Sequence, residues 1–253
     1  MEYLSANDIK NNKKEYVFGI LKDHVGRNLE NLFAAKLTAN YHDLLFSSDR
    51  HHSKILDCGI GNGEFARQLN DIGFDNVCGT DIDNYLSEKN TSFVKEFKID
   101  DFNCERMPWP DNYFEIATAW CVLPHLENPH FFIREILRVL KPNGLLILSI
   151  PHILSKASLN YFRKNGDFPR YLSSTNHITV FTPGSFKNLM RNFNVVNMEY
   201  MIDNRIFNGV KGKLRKILFV VFCSNSVTKQ YINKLWGYNQ IWILSKKIEH
   251  NVA

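Results

Sequence analysis

The sequence predicts an α/β fold in which one sheet of strands is flanked by helices. Between Lys54 and Ile150, short apolar runs that are typical of buried strands alternate with helical patterns. This alternation is typical of parallel strands joined by right-handed helical crossovers. A glycine-rich turn follows the first of these strands. With 253 residues, of which 44% are hydrophobic, the chain can bury one large core, and we expect a single domain over 1–253.

Residues 1–50 are predicted to be mainly helical. Apolar residues recur there at every third or fourth position, the period of an amphipathic helix. The stripe consists of Phe18, Leu21, Val25, Leu29, Leu32 and Phe33. Such a leading segment can pack on the domain as a lid over a ligand, which would make Tyr16, His24 and Arg27 candidate contacts. The first residues lack a basic stretch followed by an apolar run, so we expect no signal peptide and a cytoplasmic protein.

The nine residues of sequence DCGIGNGEF, at 57–65, form the predicted binding loop. They follow a predicted strand at 54–57 and run into a predicted helix at 63–72. Alternate glycines let the backbone turn sharply and let a ligand approach closely, and a helix start presents free N–H groups. The preceding carboxylate of Asp57 suits a cationic ligand better than a pyrophosphate.

Two other kinds of nucleotide loop match this sequence poorly. The dinucleotide fingerprint G-x-G-x-x-G requires a third glycine where this chain has Glu64. No Gly-Lys-Ser/Thr follows the loop, which excludes a phosphate-binding P-loop. An NAD(P)-dependent oxidoreductase would have to tolerate Glu64 and is kept as an alternative.

Acidic residues end the next two predicted strands. The strand at 76–81 ends in Asp81, about 20 residues after the glycines, where an acid can accept both hydroxyls of a ribose. Asp83 is a weaker candidate for that role. After a predicted helix at 84–90, the strand at 94–99 is followed by the sequence Asp-Asp-Phe at 100–102. An acid there can bind an adenine amino group while the phenyl ring covers the base.

Together with three later segments, the loop resembles the class I S-adenosylmethionine-dependent methyltransferases of the type 11 kind. The segments are MPWPDNYFE at 107–115, VLPHL at 122–126 and EILRVLKPNG at 135–144, and the ordered match runs from about Lys54 to Pro151. The resemblance implies S-adenosyl-L-methionine as cofactor and S-adenosyl-L-homocysteine as product. We expect the cofactor to contact Asp57, Gly59, Gly61, Gly63, Asp81, Ile82, Asp101, Phe102 and Trp120. Two departures are Glu115, where the family usually has Asp, and Pro124, where it usually has Glu.

The resemblance also completes the predicted fold. It implies a single Rossmann-like seven-stranded sheet flanked by helices, with the last strand antiparallel and insertions after strands 5 and 6. The remaining predicted strands are 114–120, 144–150, 193–200 and 239–246, and the remaining predicted helices are 129–140, 183–191 and one at 213–222 within the excursion 203–237. Residues 1–50 would form the helical lid, 54–150 the cofactor-binding core and 151–253 the acceptor-side part.

Composition limits the partners. The five cysteines show no C-x-x-C pair, and no carboxylate cluster suggests a metal, so we expect neither zinc nor a metal-assisted reaction.

The net charge of +5 comes from residues 205–253, which hold nine Lys or Arg against one acid. Beside the apolar run 217–223, this charge suggests peripheral membrane contact through 211–222. No apolar run is long enough to span a bilayer. The motifs of nucleic-acid methyltransferases are missing, so a DNA or RNA acceptor is disfavoured.

A small-molecule acceptor is expected beyond the fourth and fifth strands, where ligands of such sheets bind. A general base near neutrality suits a hydroxyl acceptor, and His177 and His125 are the catalytic candidates. The candidates for acceptor binding are His152, Arg163 and Tyr171. Residues 177–186 resemble a block in small-molecule methyltransferases of bacterial surface-polysaccharide clusters, which implies O-methylation of a sugar, a nucleotide-linked sugar or another glycan building block. A membrane-associated lipid or quinone methyltransferase and a non-catalytic cofactor-binding subunit remain alternatives. The methylated atom and the oligomeric state stay open.

Overall fold

The computed structural model describes residues 24–202, residue 212 and residues 226–247. In chain order the helices and strands are α1 (His24–Leu45), β1 (Lys54–Cys58), α2 (Glu64–Asn70), β2 (Asn76–Asp81), β3 (Glu96–Ile99), β4 (Phe114–Trp120), α3 (Pro129–Val139), β5 (Leu140–Pro151), α4 (Lys156–Asn165), α5 (Pro183–Leu189), β6 (Phe193–Ile202), α6 (Ser226–Trp236) and β7 (Gly237–Lys246). Short 3-10 turns at Arg50–His52, Glu88–Phe93 and Leu123–His125 lie in the connections.

The seven strands form one sheet in the order β3-β2-β1-β4-β5-β7-β6. β1 to β5 pair in parallel, whereas β7 lies antiparallel between β5 and β6. This topology confirms the predicted fold class, including the antiparallel last strand. The carboxyl ends of the parallel strands meet at one edge of the sheet, which we call the binding edge. Because β7 runs the opposite way, its first residues also lie at that edge, with Asn239 beside Pro151 of β5.

Side chains of successive strand residues point to opposite faces, and both faces are buried. On one face, Leu146 and Leu148 of β5 belong to a core with Phe132 of α3 and Phe186 of α5. On the other face, residues such as Ile147 pack in a core that includes residues of α1 and α2. Burial on both faces explains why the central strands are near-continuous apolar runs rather than alternating ones.

Only the last two residues of the apolar stripe predicted for the first segment have described side chains. Leu32 is partly exposed and Phe33 is 39% exposed. The buried positions that follow are Leu37 and mostly small residues: Ala34, Ala35, Thr38, Ala39 and His42. Small side chains allow α1 to lie close against α2. Phe18, Leu21 and Tyr16 lie outside the described residues, as do the side chains of His24, Val25, Arg27 and Leu29, so the rest of the stripe stays a prediction.

The predicted helix at 84–90 is replaced by an irregular turn and the 3-10 turn Glu88–Phe93. Asp83 Oδ1 accepts the backbone N–H of Asn84, and Asn84 Oδ1 accepts that of Leu86. Short polar side chains that bond nearby backbone in this way compete with helix formation. Two helices extend the prediction: α4 in the segment after β5, and α6 in the excursion before β7. The predicted helix at 213–222 lies outside the described residues.

In the part of the chain that the structure describes, no helix is both long and apolar enough to span a membrane. The proposed membrane contact at 211–222 lies outside that part except for Gly212, and it stays a prediction.

A charged network ties the connection between β3 and β4 to α3. Arg138 donates to the carbonyls of Trp109 and Met107 at 2.8 Å each, and to the Glu135 carboxylate at 2.6 Å. Glu135 in turn accepts the Met107 N–H at 2.9 Å. The network satisfies backbone groups that would otherwise be buried without partners. It thereby fixes the loop that the sequence assigns to the adenine side.

We predict that Arg138→Ala lowers the free energy of unfolding by about 3–5 kcal/mol, because it leaves the buried Glu135 carboxylate and two carbonyls unpaired. Urea denaturation monitored by circular dichroism measures this change. The matched control is Arg134→Ala on the exposed face of the same helix, where loss of a contact with the Phe131 ring should cost about 1 kcal/mol or less. Equal losses in the two variants would contradict the assigned role of Arg138.

Candidate active site

Three glycines shape the loop between β1 and α2, and all three have positive φ: +75° at Gly59, +55° at Gly61 and +80° at Gly63. A Cβ on Gly59 would lie 2.7 Å from Val122 Cγ2, and one on Gly63 would lie 2.9 Å from Leu86 Cδ2. A Cβ on Gly61 would meet no atom of the described residues within 4 Å. Gly59 and Gly63 are therefore required for packing, whereas Gly61 borders open space into which a ligand fits.

Asp81 holds this loop against the end of β2. Its side chain is 2% exposed, with Oδ2 accepting the Gly61 N–H at 2.9 Å and Oδ1 accepting the Ile82 N–H at 2.8 Å. A carboxylate oxygen has two lone pairs, so each can still accept a hydroxyl. The residue expected to bind a ribose thus also positions the glycine beside the open space.

Asp57 lies beneath the loop at the end of β1 and is fully buried. Its Oδ1 accepts the Thr118 hydroxyl at 2.8 Å. Burial raises the pKa of Asp57 to about 7, and the negative charge of Asp81 adds to the rise, while the Thr118 hydrogen bond opposes it. A cationic ligand nearby would stabilise the ionised form of Asp57.

On the adenine side, the structure separates the two acids that follow β3. One oxygen of Asp101 accepts both the N–H and the side-chain amide of Asn103, at 3.0 and 3.1 Å. Asp100 is buried, and its Oδ2 has no hydrogen-bond partner in the described part of the chain. Burial, followed by repulsion from Glu105, raises the pKa of Asp100 to about 7. Asp100 therefore has a buried oxygen available to a ligand, whereas Asp101, the acid that the sequence analysis assigned to the cofactor, bonds within its own turn.

The aromatic residues expected at the cofactor lie at the same edge. Phe102 is buried, with its ring centre 5.2 Å from that of Phe132. Trp120 ends β4 and packs edge-on to Phe65 at 5.7 Å, and its Nε1 has no partner among the described residues. Unpaired buried donors and acceptors are rare in native proteins, so Asp100 and Trp120 mark where a polar ligand would fit. These groups, the open side of Gly61 and the buried acids fit a nucleoside that carries a positive charge.

On the acceptor side, His125 and His177 lie together with ring centres 4.5 Å apart. His125 Nδ1–H donates to the Asn176 carbonyl at 3.0 Å. His177 is 8% exposed, and its Nδ1 has no partner in the described residues. Burial, then the charges of His125 and Arg170, lower the pKa of His177 to about 3, against a hydrogen bond to the Arg170 backbone. The ring of His177 is therefore neutral near pH 7, and its Nδ1 atom faces no hydrogen-bond partner among the described residues.

The three residues predicted to bind the acceptor have different surroundings. Tyr171 lies with its ring centre 5.4 Å from that of His177, and its buried hydroxyl has no partner among the described residues. Arg163 is exposed on α4, and nothing described places it with the histidine pair. His152 is 3% exposed, and both ring nitrogens are engaged: Nε2 donates to the Lys234 carbonyl at 2.9 Å and Nδ1 accepts from Gln240 at 3.0 Å. His152 therefore has a structural position and no free nitrogen for a substrate.

A polar network that the sequence did not indicate borders the histidine pair. Cys121 follows β4 with φ +56°, and its N–H donates to Ser149 Oγ at 3.0 Å. Asn239 of β7 donates to Cys121 Sγ at 3.5 Å and accepts from Arg170 at 2.7 Å. The network joins the ends of β4 and β5 to the segment that carries Tyr171 and His177. Among the described residues, no group of three or more metal-ligating side chains occurs.

Comparison with known proteins identifies the family. A family model described as a methyltransferase domain matches residues 27–200. The chain belongs to this family. The match covers the glycine loop, the buried acids Asp57, Asp81 and Asp100, and also Trp120, His125 and His177. The family together with its fold neighbours implies S-adenosyl-L-methionine as the cofactor.

Curated relatives of this methyltransferase-domain chain match over part of their length. The ubiquinone/menaquinone biosynthesis C-methyltransferase UbiE of Stutzerimonas stutzeri is 30% identical over 115 residues, which cover 40% of this chain and 43% of that protein. The 2-methyl-6-phytyl-1,4-hydroquinone methyltransferase of a Synechocystis species is 32% identical over 101 residues, covering 38% of this chain and 31% of that protein. The matched segments thus span less than half of either relative.

Solved structures share the fold across nearly the whole chain. The methyltransferase complexed with the Haloferax volcanii Trm112 activator has a TM-score of 0.61 at 15% identity, covering 98% of this chain and 100% of that chain. A SAM-dependent methyltransferase from Archaeoglobus fulgidus has a TM-score of 0.57 at 17% identity, covering 92% and 99%. At these identities the likeness concerns the fold.

We predict that Asp81→Ala weakens binding of S-adenosyl-L-homocysteine by ~100-fold or more, since each charge-assisted hydrogen bond to a ribose hydroxyl contributes ~1.5–3 kcal/mol. The variant should also melt at a lower temperature, because the Gly61 N–H loses its acceptor. Calorimetric titration measures the affinity. Asp83→Asn is the control, and an equal loss of affinity in both variants would remove Asp81 from the ribose site.

We predict that stability without ligand falls as pH rises from about 4 to about 7, in part because of Asp57. In this window the unfolded carboxyl, with its ordinary pKa near 3.8, has lost its proton while the native one, with a pKa of about 7, keeps it. Asp57→Asn should make the decline shallower by about 1.4 kcal/mol per pH unit, the value of one proton. Urea denaturation between pH 4 and pH 8 tests this, and an unchanged slope would contradict the shifted pKa.

Proposed function

We propose that this chain transfers the methyl group of S-adenosyl-L-methionine to a hydroxyl-bearing small molecule. The observation that carries the proposal is the juxtaposition of two sites at the binding edge: the open glycine loop held by Asp81, and the neutral His177 with its unpartnered Nδ1. Family membership supports the first site and speaks against the oxidoreductase alternative. A subunit that only binds the cofactor would not need a polar acceptor site. The presence of His177 and Tyr171 near the end of β4 therefore speaks against that alternative.

The cofactor supplies an electrophilic methyl group on a positively charged sulfur. The acceptor hydroxyl gives its proton to His177 Nδ1 while its oxygen bonds the methyl carbon, and the electrons of the broken carbon–sulfur bond stay on sulfur. The main tasks of the protein are therefore to align the acceptor with the methyl group and to exclude water. Asp57 and Asp100 lie on the cofactor side of β4, where buried negative charge favours a cationic ligand.

Two acceptor classes fit this arrangement. A sugar hydroxyl is the class that the sequence favoured, and no comparison supports it. A phenolic or hydroquinone ring is supported by the rings of Tyr171, His125 and His177, which can pack against a planar acceptor. It is also supported by the quinone and hydroquinone methyltransferases among the relatives. With a hydroquinone, loss of the same hydroxyl proton would activate either the oxygen or a ring carbon for methylation. We therefore favour a hydroxylated aromatic ring over a sugar as the acceptor.

The direct test incubates the protein with S-adenosyl-L-methionine and single acceptors, and measures S-adenosyl-L-homocysteine and methylated product by mass spectrometry. Hydroquinones and nucleotide-linked sugars form the two arms. Methylated hydroquinone would support the proposal and assign oxygen or carbon, whereas methylated sugar would restore the first expectation. Tight binding of S-adenosyl-L-homocysteine without turnover in either arm would contradict a hydroxyl acceptor of both classes.

We predict that His177→Gln lowers kcat by up to ~10²-fold, the lower end of the usual contribution of a general base, because a pKa of about 3 makes the ring a weaker base than the near-neutral one that the sequence suggests. The affinity for S-adenosyl-L-homocysteine should change little. Because the pKa of His177 is about 3 in the free protein, the ring is neutral at higher pH, and wild-type kcat/KM should show no lower limb near pH 6.5. Rates between pH 4 and pH 9 measure this profile. Full activity of His177→Gln, with a loss in His125→Gln, would move the role of base to His125.

A further inference from the structure

The guanidinium of Arg170 is half-buried at the binding edge, and no described residue supplies a counter-charge to it. Its Nη1 donates to Asn239 Oδ1 at 2.7 Å, and no acid in the described residues forms an ion pair with it. The nearest acid along the chain, Asp167, accepts the N–H of Phe168 instead. Removing a cation from water without a partner is unfavourable. The arrangement indicates a partner from outside the described chain.

Arg170 is held in a fixed position. Asn239 is 4% exposed, and it uses its oxygen for Arg170 and its amide nitrogen for Cys121 Sγ, which defines the orientation of the amide. Thr175 Oγ1 donates to the Arg170 carbonyl at 3.1 Å. Side chain and backbone are thus both anchored beside the end of β4. A preorganised guanidinium loses little freedom when it binds an anion.

Two further polar groups from the same segment lack partners within the described residues. They are the buried hydroxyl of Tyr171 and the Nδ1 atom of His177, whose side chain is more than nine-tenths buried. The Tyr171 hydroxyl can donate a hydrogen bond, and the Nδ1 atom of His177 is the atom proposed above to accept the proton. Two buried polar atoms without partners and one guanidinium without an ion pair lie within eight residues of sequence, on a segment joined to the end of β4. They point to one ligand that satisfies them together.

We propose that Arg170 binds an oxyanion of the acceptor, a carboxylate or a phosphate, and so determines which hydroxyl compounds the enzyme methylates. The proposal rests on the function proposed above and names its substrate class. The planar N–H fork of arginine matches the oxygens of either anion, and the Tyr171 hydroxyl can donate to the same group. With the anion held there, the acceptor hydroxyl is directed to His177 Nδ1.

An anion bound to Arg170 would change the basicity of His177. The charged and titratable groups around His177 are Arg170, His125 and Tyr171, and the positive charge of Arg170 is one cause that lowers the pKa of His177. An anion bound to Arg170 offsets this charge and makes His177 a stronger base. An anionic acceptor would therefore activate the group that deprotonates it.

The test uses the full chain saturated with S-adenosyl-L-homocysteine and three probes: benzoate, inorganic phosphate and the uncharged benzamide. Calorimetric titration should show that benzoate or phosphate binds at least ~10-fold more tightly than benzamide, as expected for a charge-assisted pair. Binding of benzoate alone would identify a carboxylate, and binding of phosphate alone would identify a phosphoryl group. Equal affinities for benzoate and benzamide with no phosphate binding would overturn the proposal.

Arg170→Gln should weaken anion binding at least ~10-fold and leave the affinity for benzamide and S-adenosyl-L-homocysteine unchanged. Arg134→Gln, an exposed arginine on α3, is the matched control and should change none of these affinities. Arg170→Lys keeps the positive charge but removes the planar pair of N–H groups, so we expect an intermediate loss of anion affinity. If Arg170→Gln does not fold, the anion affinity of Arg170→Lys tests the proposal instead. Unchanged anion affinity in a folded Arg170 variant would overturn the proposal.

A second readout separates this proposal from the proposed function. The imidazole signal of His177, assigned by its loss in His177→Gln, can be titrated by NMR without cofactor. Addition of the anion should raise the pKa of His177 in the wild type and leave it unchanged in Arg170→Gln. A pKa that does not move would contradict anion binding at Arg170. Failure of S-adenosyl-L-homocysteine to bind would instead contradict the methyltransferase activity.

Discussion

The hydrogen bond from the Gly61 N–H to Asp81 Oδ2 is the constraint on which the binding edge depends. It joins the loop after β1 to the end of β2, and thereby keeps Gly61 in a left-handed conformation beside open space. Gly59 and Gly63 share this handedness, and Val122 and Leu86 leave no room for a Cβ at either position. A single buried carboxylate thus organises the loop, and the group proposed to bind the cofactor is one that the fold already needs.

Much of the fold follows from the amino-acid sequence because burial on both sheet faces leaves a strong signal. The strand limits at Asn76–Asp81 and Phe114–Trp120 agree with the prediction. A short apolar run bounded by polar turn residues is typical of a buried strand. The 84–90 segment was misjudged because its polar side chains bond to neighbouring backbone, a choice that residue periodicity does not encode. Phe33 is exposed rather than buried because the described part of α1 packs mainly through small residues.

Candidate site residues could be predicted where their role depends on their position at the end of a predicted strand or in a predicted turn. Asp81 and the glycines occupy strand ends and a turn, and these positions can be counted from the sequence. Asp100 was missed because two acids stand side by side, and only burial distinguishes the unpaired one from Asp101. Arg170, Cys121 and Asn239 come from three distant parts of the chain, and their contact arises only when β7 lies beside β5. His152 illustrates the converse, because its two hydrogen bonds involve α6 and β7, which no local pattern connects with it.

The reversed direction of β7 has a consequence for how such a protein can diverge. Because its first residues lie at the same edge as the ends of β4 and β5, α6 leads into the sheet beside the proposed acceptor site. The connection after β5 enters there too. Both connections can change in length and sequence while the half that holds the cofactor stays intact. The architecture thus separates an inherited reaction from an exchangeable specificity, and new acceptors can be acquired without rebuilding the chemistry.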